Sequence, residues 1–301
     1  MVIHHFAPTH YFNAIGSHEP VLRIASGDSV VTTTLDASGR DAAGEERAER
    51  GNPMTGPFFV DGASPGDALH VTIDRLTPIR DWGFTWAPVA TNVVDPEFVR
   101  ELPEREQNIW KIDLEAERIA LANPSARLRD LSLPLAPMIG CFGVAPAWGQ
   151  AISTATSAEH GGNMDYRGFA PGVTAIFPVF VEGALFHLGD GHATQGDGEI
   201  VGTGVETAFE MAFTIRVEPG AAPAWPRGIT ESEIFTAGNA RPLDQALQHA
   251  TSEMMRWLAS DYGLDATDAS HLLGQVVRYD IGNVFDPAYT VVCRLEKRWL
   301  S

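Results

Sequence analysis

The densest run of chemically capable side chains in this 301-residue sequence is His187-Leu-Gly-Asp190-Gly-His192-Ala-Thr-Gln195-Gly-Asp197-Gly-Glu199. Asp190 and His192 stand two apart, so on an extended backbone they share a face, and Gln195, Asp197 and Glu199 do the same. The intervening Ala193-Thr194 shifts the parity, so a turn has to aim the two sets at one another. Glycines at 189, 191, 196 and 198 permit that turn and let backbone amides come close to a bound group. A carboxylate beside an imidazole suits Zn²⁺ or another borderline cation, which leaves Glu199 as a candidate base. The plain alternative is a polar hairpin loop with turn-forming glycines and solvated acids. An EF-hand is excluded, because Thr194 stands at the fifth ligand position and no Glu lies twelfth from Asp190.

Two further clusters carry acids among turn residues. Glu159-His160-Gly161-Gly162-Asn163-Met164-Asp165 permits a tight turn with side chains pointing into a cleft, although Gly, Asn and Asp also dominate ordinary turns. The run Thr32-Thr-Thr-Leu-Asp36 ends in an acid whose local reading is a strand-end turn residue. Other motifs lead nowhere. Gly62-Ala-Ser64-Pro-Gly66 matches the nucleophile elbow, but that elbow must feed a helix, and Leu69 to Ile73 reads as a strand. Cys141 reads as a buried inert thiol. A Cys-Glu-Lys triad needs a lysine, and the chain has only Lys111 and Lys297. No glycine-rich nucleotide motif is present.

The elements that must position these residues are mostly strands. Short apolar runs alternate with glycine and proline breakers along the chain. Val21 to Ile24 and Val30 to Leu35 flank one turn; Phe58 to Val60 and Leu69 to Ile73 flank another. Val173 to Val181, Glu182-Gly183 and Ala184 to Leu188 read as a hairpin, and Thr207 to Val217 as a long strand. After about residue 236 the pattern changes. Leu243, Leu247, Ala250, Met254 and Leu258 recur at helical spacing up to Gly263, a C-cap. A second helix starts near Asp265 or Thr267, and Ala288 to Leu295 closes as a strand. The fold class is therefore mainly β, a sandwich or barrel-like body, with a helical α+β C-terminal segment. Residues 1–235 form the catalytic body and 236–301 pack on it.

Composition bounds the partners. Lys and Arg total 21 against 39 Asp and Glu, a net charge of −18 without any basic patch, which excludes nucleic acid as a partner. No run approaches a membrane span and no signal peptide is evident. Two distant cysteines fit a reducing compartment, so the expectation is a cytoplasmic protein.

Taken together, several stretches resemble the acetamidase/formamidase family along nearly the whole length. They are Ser26-Gly-Asp28, Leu35-Asp36-Ala, Asn52-Pro-Met-Thr-Gly-Pro57, Pro65-Gly-Asp67, Pro137-Met-Ile-Gly140, Gly143-Val-Ala-Pro146, Gly161-Gly-Asn-Met-Asp165 and Glu182-Gly-Ala184. The most specific is Gly189-Asp190-x-His192-x-x-Gln195-Gly-Asp-Gly-Glu199, and the length is like that of the shorter, acetamidase-type members. The resemblance implies a mainly β architecture, homodimers, and hydrolysis of small linear amides, with some members opening lactams. It implies a metal site at Asp36, Asp165, Asp190 and His192, extended by His187 and His160. Ile281-Gly-Asn283-Val-Phe285-Asp286 departs from the family wording in a region that borders the site.

The expected enzyme is an amidase whose divalent cation is zinc, with calcium as an additional structural ion. Glu199 and Asp197 share the catalytic proton transfer, their division of roles open. Asn163, Gln195, Gly161 and Gly162 bind the small amide. The alternatives are a hydrolase of lactams, cyclic imides or larger amides, and a non-catalytic metal- or small-molecule-binding β protein.

Overall fold

Side-chain alternation builds the principal sheet. In strand Phe209–Glu218, Phe209, Met211, Phe213 and Ile215 are buried, while Glu210, Ala212 and Thr214 are half-buried. The computed structural model, which describes residues 1–300, sets this strand in a sheet of nine. Its order is Ile3–His5, Ser29–Thr33, Phe209–Glu218, Ala68–Pro78, Thr174–Pro178, Arg227–Ile229, Glu233–Ala240, Tyr289–Glu296 and Arg278–Asn283. A second sheet of six runs Ser157–Ala158, Gly161–Asn163, Met138–Val144, Phe186–His192, Thr55–Asp61 and Leu22–Ala25.

The two sheets share one aromatic core and so form a sandwich. Phe58 and Phe186 of the smaller sheet each meet Phe213 of the larger edge to face at 5.4 Å. Phe142 meets Phe177 in the same way at 5.2 Å. Such contacts add about 0.5–1.5 kcal/mol each beyond the area they bury. A four-stranded extension contains Trp82–Ala87, Glu106–Asp113, Arg118–Leu121 and Leu133–Pro134.

The helices cover the outer face of the large sheet. Helix α1 (Leu243–Tyr262) ends at Gly263 with φ 66°, the left-handed C-cap expected from the sequence. Helix α2 (Ala266–Val276) starts where the Asp265 side chain accepts from the Thr267 and Asp268 amides. Ala250, Met254, Trp257 and Leu258 pack on Ile176, Ile234, Cys293 and Leu295. Leu247, placed on the apolar stripe by spacing, lies off it and is 40% exposed; Ala246 takes the buried position. Among the described residues no helix is long and apolar enough to cross a membrane.

The hairpin expected across Glu182-Gly183 does not form. Strand Thr174–Pro178 pairs with Ala68–Pro78 in the large sheet, and Phe186–His192 pairs with Met138–Val144 in the small one. Ala184 and Leu185, both at positive φ, carry the chain from one layer to the other. Both strands bury almost every position, so alternation could not assign them to a common sheet.

Candidate active site

Strand Phe186–His192 is buried throughout and lies between Met138–Val144 and Thr55–Asp61. Its register sets Asp190 opposite Gly140. A Cβ at residue 140 would run into Asp165 Oδ1 and lie 3.0 Å from Asp190 Oδ2. The bare backbone there is what makes room for two carboxylates. Asp165 arrives just after the adjoining strand Gly161–Asn163, and Glu199 closes the short turn Asp197–Glu199.

These acids converge on His192. Asp165, Asp190 and His192 present potential ligand atoms within 4.8 Å of one another, as do His192, Glu199 and Glu206, and likewise Asp165, Glu199 and Asp286. Asn52, Asp165, Asp190 and Glu199 make up four of the eight non-glycine residues at positive φ among the described residues. A side chain in that region costs about 1–3 kcal/mol, so the surrounding fold imposes the conformation that aims these four groups.

Hydrogen bonds orient the cluster from outside. Asn52 Nδ2 donates to Asn163 Oδ1 and to Asp190 Oδ2, each at 3.1 Å. Asp286 Oδ2 accepts from Asn163 Nδ2 at 2.6 Å and Asn283 Nδ2 at 2.7 Å. Gln195 spends its amide nitrogen on the carbonyl oxygens of Asp165 (2.5 Å) and Gly282 (3.2 Å). Its Oε1, 2.8 Å from His192 Nδ1, is therefore the acceptor, and that nitrogen carries a proton. His192 Nε2 then faces Glu206 Oε1 at 3.0 Å and Asp190 Oδ1 at 3.5 Å. These contacts are close but misdirected for hydrogen bonding, so Nε2 lacks a partner. A nitrogen between two carboxylates needs a proton or a cation.

The electrostatics follow from crowding acids away from water. Burial, reinforced by the neighbouring charges of Glu199, Asp286 and Asp190, holds the Asp165 carboxyl well above the usual range. Burial and Asp286 do the same to Glu199. Burial pushes Glu206 up to about 8 and Asp286 to about 6. For His192, burial opposes the charged form, but Glu206 and Asp190 outweigh it and raise the imidazole well above its ordinary value.

The structure thus brings together Asp165, Asp190, His192, Glu199, Asn163 and Gln195 from the sequence reading. It sets others apart. Asp36 is fully buried, but Oδ1 accepts from the Ser38 and Arg40 amides and Oδ2 from Arg80 at 2.8 Å, so both oxygens are engaged by the protein, apart from the acids that meet at His192. Asp197 is half-exposed and pairs with Arg167 at 2.6 Å. The His187 Nδ1 lies 3.0 Å from the Leu185 carbonyl oxygen, and its ring stands edge-on to His18 at 5.7 Å. Burial drives His187 down to about 3 and His160 to about 4. Gly161 and Gly162 serve strand packing: Cβ atoms there would meet the carbonyl oxygens of Phe142 and Thr156 at 2.5 Å. Gln195, read as a substrate binder, directs both amide hydrogens and its oxygen to protein groups.

Glu206, Asp286, Asn52 and Asn283 complete the cluster without having been singled out for roles. Asn52 and Asp286 stand in stretches that the sequence reading flags. Glu206 sits in no motif and joins through isolated bridges to Phe84 and His192.

Comparison with known proteins gives one consistent result. The model of the Acetamidase/Formamidase family matches residues 17–150 and 147–271. An acetamidase of Mycolicibacterium smegmatis is 28% identical over 244 residues, 63% of this chain and 59% of its own. The match thus spans less than two thirds of that relative. The crystal structure of an acetamidase from Yersinia enterocolitica, at 30% identity, superposes with a TM-score of 0.86 over 99% of this chain and 93% of its own. That of an acetamidase from Bacillus halodurans, at 28% identity, gives 0.84 over 98% of both chains.

Proposed function

Because the chain belongs to the acetamidase/formamidase family, we propose that it hydrolyses the C–N bond of a small linear amide, releasing a carboxylate and ammonia, at the cluster around His192. One observation carries this reading. Asp165 Oδ1, Asp190 Oδ1, His192 Nε2 and Glu206 Oε2 are all buried without hydrogen-bond partners. Unpaired buried polar atoms are costly, and two groups of them that meet at His192 are what a cation would satisfy.

Asp165, Asp190 and His192 would hold a divalent cation, with Glu206 flanking the imidazole. The mixed oxygen and nitrogen donor set suits zinc. When bound, the cation supplies Lewis-acid polarisation of the amide carbonyl and lowers the pKa of water. Gln195 holds the imidazole in the tautomer that turns Nε2 toward the acids. Glu199, its basicity raised by burial, takes the proton that the attacking water sheds as the new C–O bond forms. It returns that proton to the amide nitrogen, which leaves with the C–N bonding pair as ammonia. Asp286, half-buried and held by Asn163 and Asn283, would accept from the substrate NH₂.

The same reading takes a homodimer as the assembly and the cytoplasm as the compartment, the latter supported by two buried free cysteines. The test is ammonia release from acetamide and formamide before and after chelation, with metal content by mass spectrometry and His192→Ala alongside. Activity should vanish on chelation, return with the cation, and be lost in the variant. Full activity after both treatments would sink the metal-assisted mechanism; folded, metal-replete protein that releases no ammonia from any linear amide would sink the function.

A further inference from the structure

Around the cluster's half-buried side the sign of charge reverses. Arg50 stands two residues before Asn52, which donates to Asp190. Its guanidinium carbon lies 5.5 Å from the centre of the Trp86 ring. Arg105 approaches the same ring at 5.6 Å and the Phe285 ring, next to Asp286, at 5.2 Å. Neither arginine forms an ion pair with a carboxylate among the described residues. By contrast, Arg23, Arg47, Arg75, Arg167 and Arg278 all pair with acids on the surface.

This arrangement is unusual for a chain with a net charge of −18. Partial burial and the charge of Arg50 act against the Arg105 cation, while Glu199 is near enough to favour it. Two like charges gathered on one indole repel each other unless something of opposite sign lies between them. Both guanidinium carbons lie within cation–π range of the Trp86 ring, and an arginine so anchored keeps N–H donors for an anion. Arg105 also lines a cavity of about 420 Å³ with Val89, Ala90, Val99, Leu102 and Phe285. On the cavity wall the Ala90 amide donates at 2.6 Å to the carbonyl oxygen of Ile200, the residue after Glu199.

Resting on the amidase reading above, we propose that the preferred amide carries a negatively charged group, a carboxylate in the simplest case, at the end remote from its carboxamide, and that Arg50 and Arg105 bind this group against Trp86 while the carboxamide reaches Glu199. The arginines are specificity-determining residues that sort amides by charge before the chemistry begins.

The test compares malonamate, succinamate and phosphonoacetamide with the neutral diamides malonamide and succinamide on the metal-replete enzyme. At least one anionic amide should exceed its neutral counterpart in kcat/KM by about tenfold or more. Arg105→Gln and Arg50→Gln should each shrink that ratio, mainly by raising KM, and added salt should do the same. Phosphonoacetamide outrunning the carboxylates would identify the anion as phosphonate-like and still support the proposal. Equal or better turnover of the neutral diamides, or an equal loss on both classes in Arg105→Gln, would overturn it. Calorimetric titration of succinate separates this from failure of the amidase reading. Succinate binding that Arg105→Gln abolishes keeps the anion site even if no amide is cleaved, whereas no binding together with a neutral preference removes it.

Discussion

Asp36 and Asp190 are both buried acids, and both stand in stretches that match the same family, yet they do opposite work. Asp36 sits where two backbone amides and the Arg80 guanidinium occupy its oxygens, and Arg80 in turn stacks on Trp82 at 3.6 Å. Asp190 sits among Asp165, Glu206 and an imidazole nitrogen, with Oδ1 unpartnered. Burial alone therefore does not mark a functional acid. What separates the two is whether the protein itself completes the hydrogen bonding.

That contrast can be broken at several points. The largest effect is expected at Glu199: Glu199→Gln should lower kcat by about 10²- to 10⁴-fold with cation stoichiometry by mass spectrometry retained, because only the proton transfer is lost. Retained kcat would remove Glu199 as the base. Asp36→Asn should leave the Arg80 charge buried with a poorer partner and cost up to about 3–5 kcal/mol in denaturant unfolding, again with cation content intact. Loss of the cation in folded Asp36→Asn would instead put Asp36 back in the metal site.

A smaller effect sharpens the orienting role of the amide beside His192. Gln195→Leu should weaken cation affinity by about 10- to 100-fold in a competition titration, since the imidazole loses the acceptor that sets its tautomer. Asp28 supplies an acid-sensitive control outside the site. The hydrogen bond with His4, aided by the Val2 and Ala25 amides, holds its carboxyl at about 2, below the usual 3.8. Its contribution is present above pH 3.8 and lost as pH falls toward 2, so wild-type melting temperature should drop more steeply than that of Asp28→Asn across that window. The smallest effect is expected at Asp197: Asp197→Asn breaks an exposed pair with Arg167 and should change stability by no more than about 0.5 kcal/mol and kcat by under about twofold. A large loss of kcat there would return Asp197 to the chemistry.

Much of the fold was legible because it rests on short-range patterns. Helix ends at Gly263 and Asp265 follow from local backbone and capping chemistry, and strand Phe209–Glu218 follows from alternation. The transfer of the chain between sheets at Ala184-Leu185 was not legible, because strands buried on both faces have no polar side to orient them. Within the site, Asp190, His192 and Glu199 stood out by density in one glycine-rich run. Glu206 did not, since its meaning depends on an imidazole fourteen positions away in sequence and 3.0 Å away in space.

By itself, the amino-acid sequence determined the residue types, the glycines that let them crowd, and the periodicities that build strands and helices around them. Only the tertiary structure decided which acids meet. It paired Asp36 with Arg80, sent Asp197 to the surface, brought Glu206 and Asp286 to His192 and Asp165, and grouped Arg50 with Arg105 on Trp86. The reason is that desolvation and hydrogen-bond completion are properties of the whole neighbourhood, supplied by segments far apart in the chain.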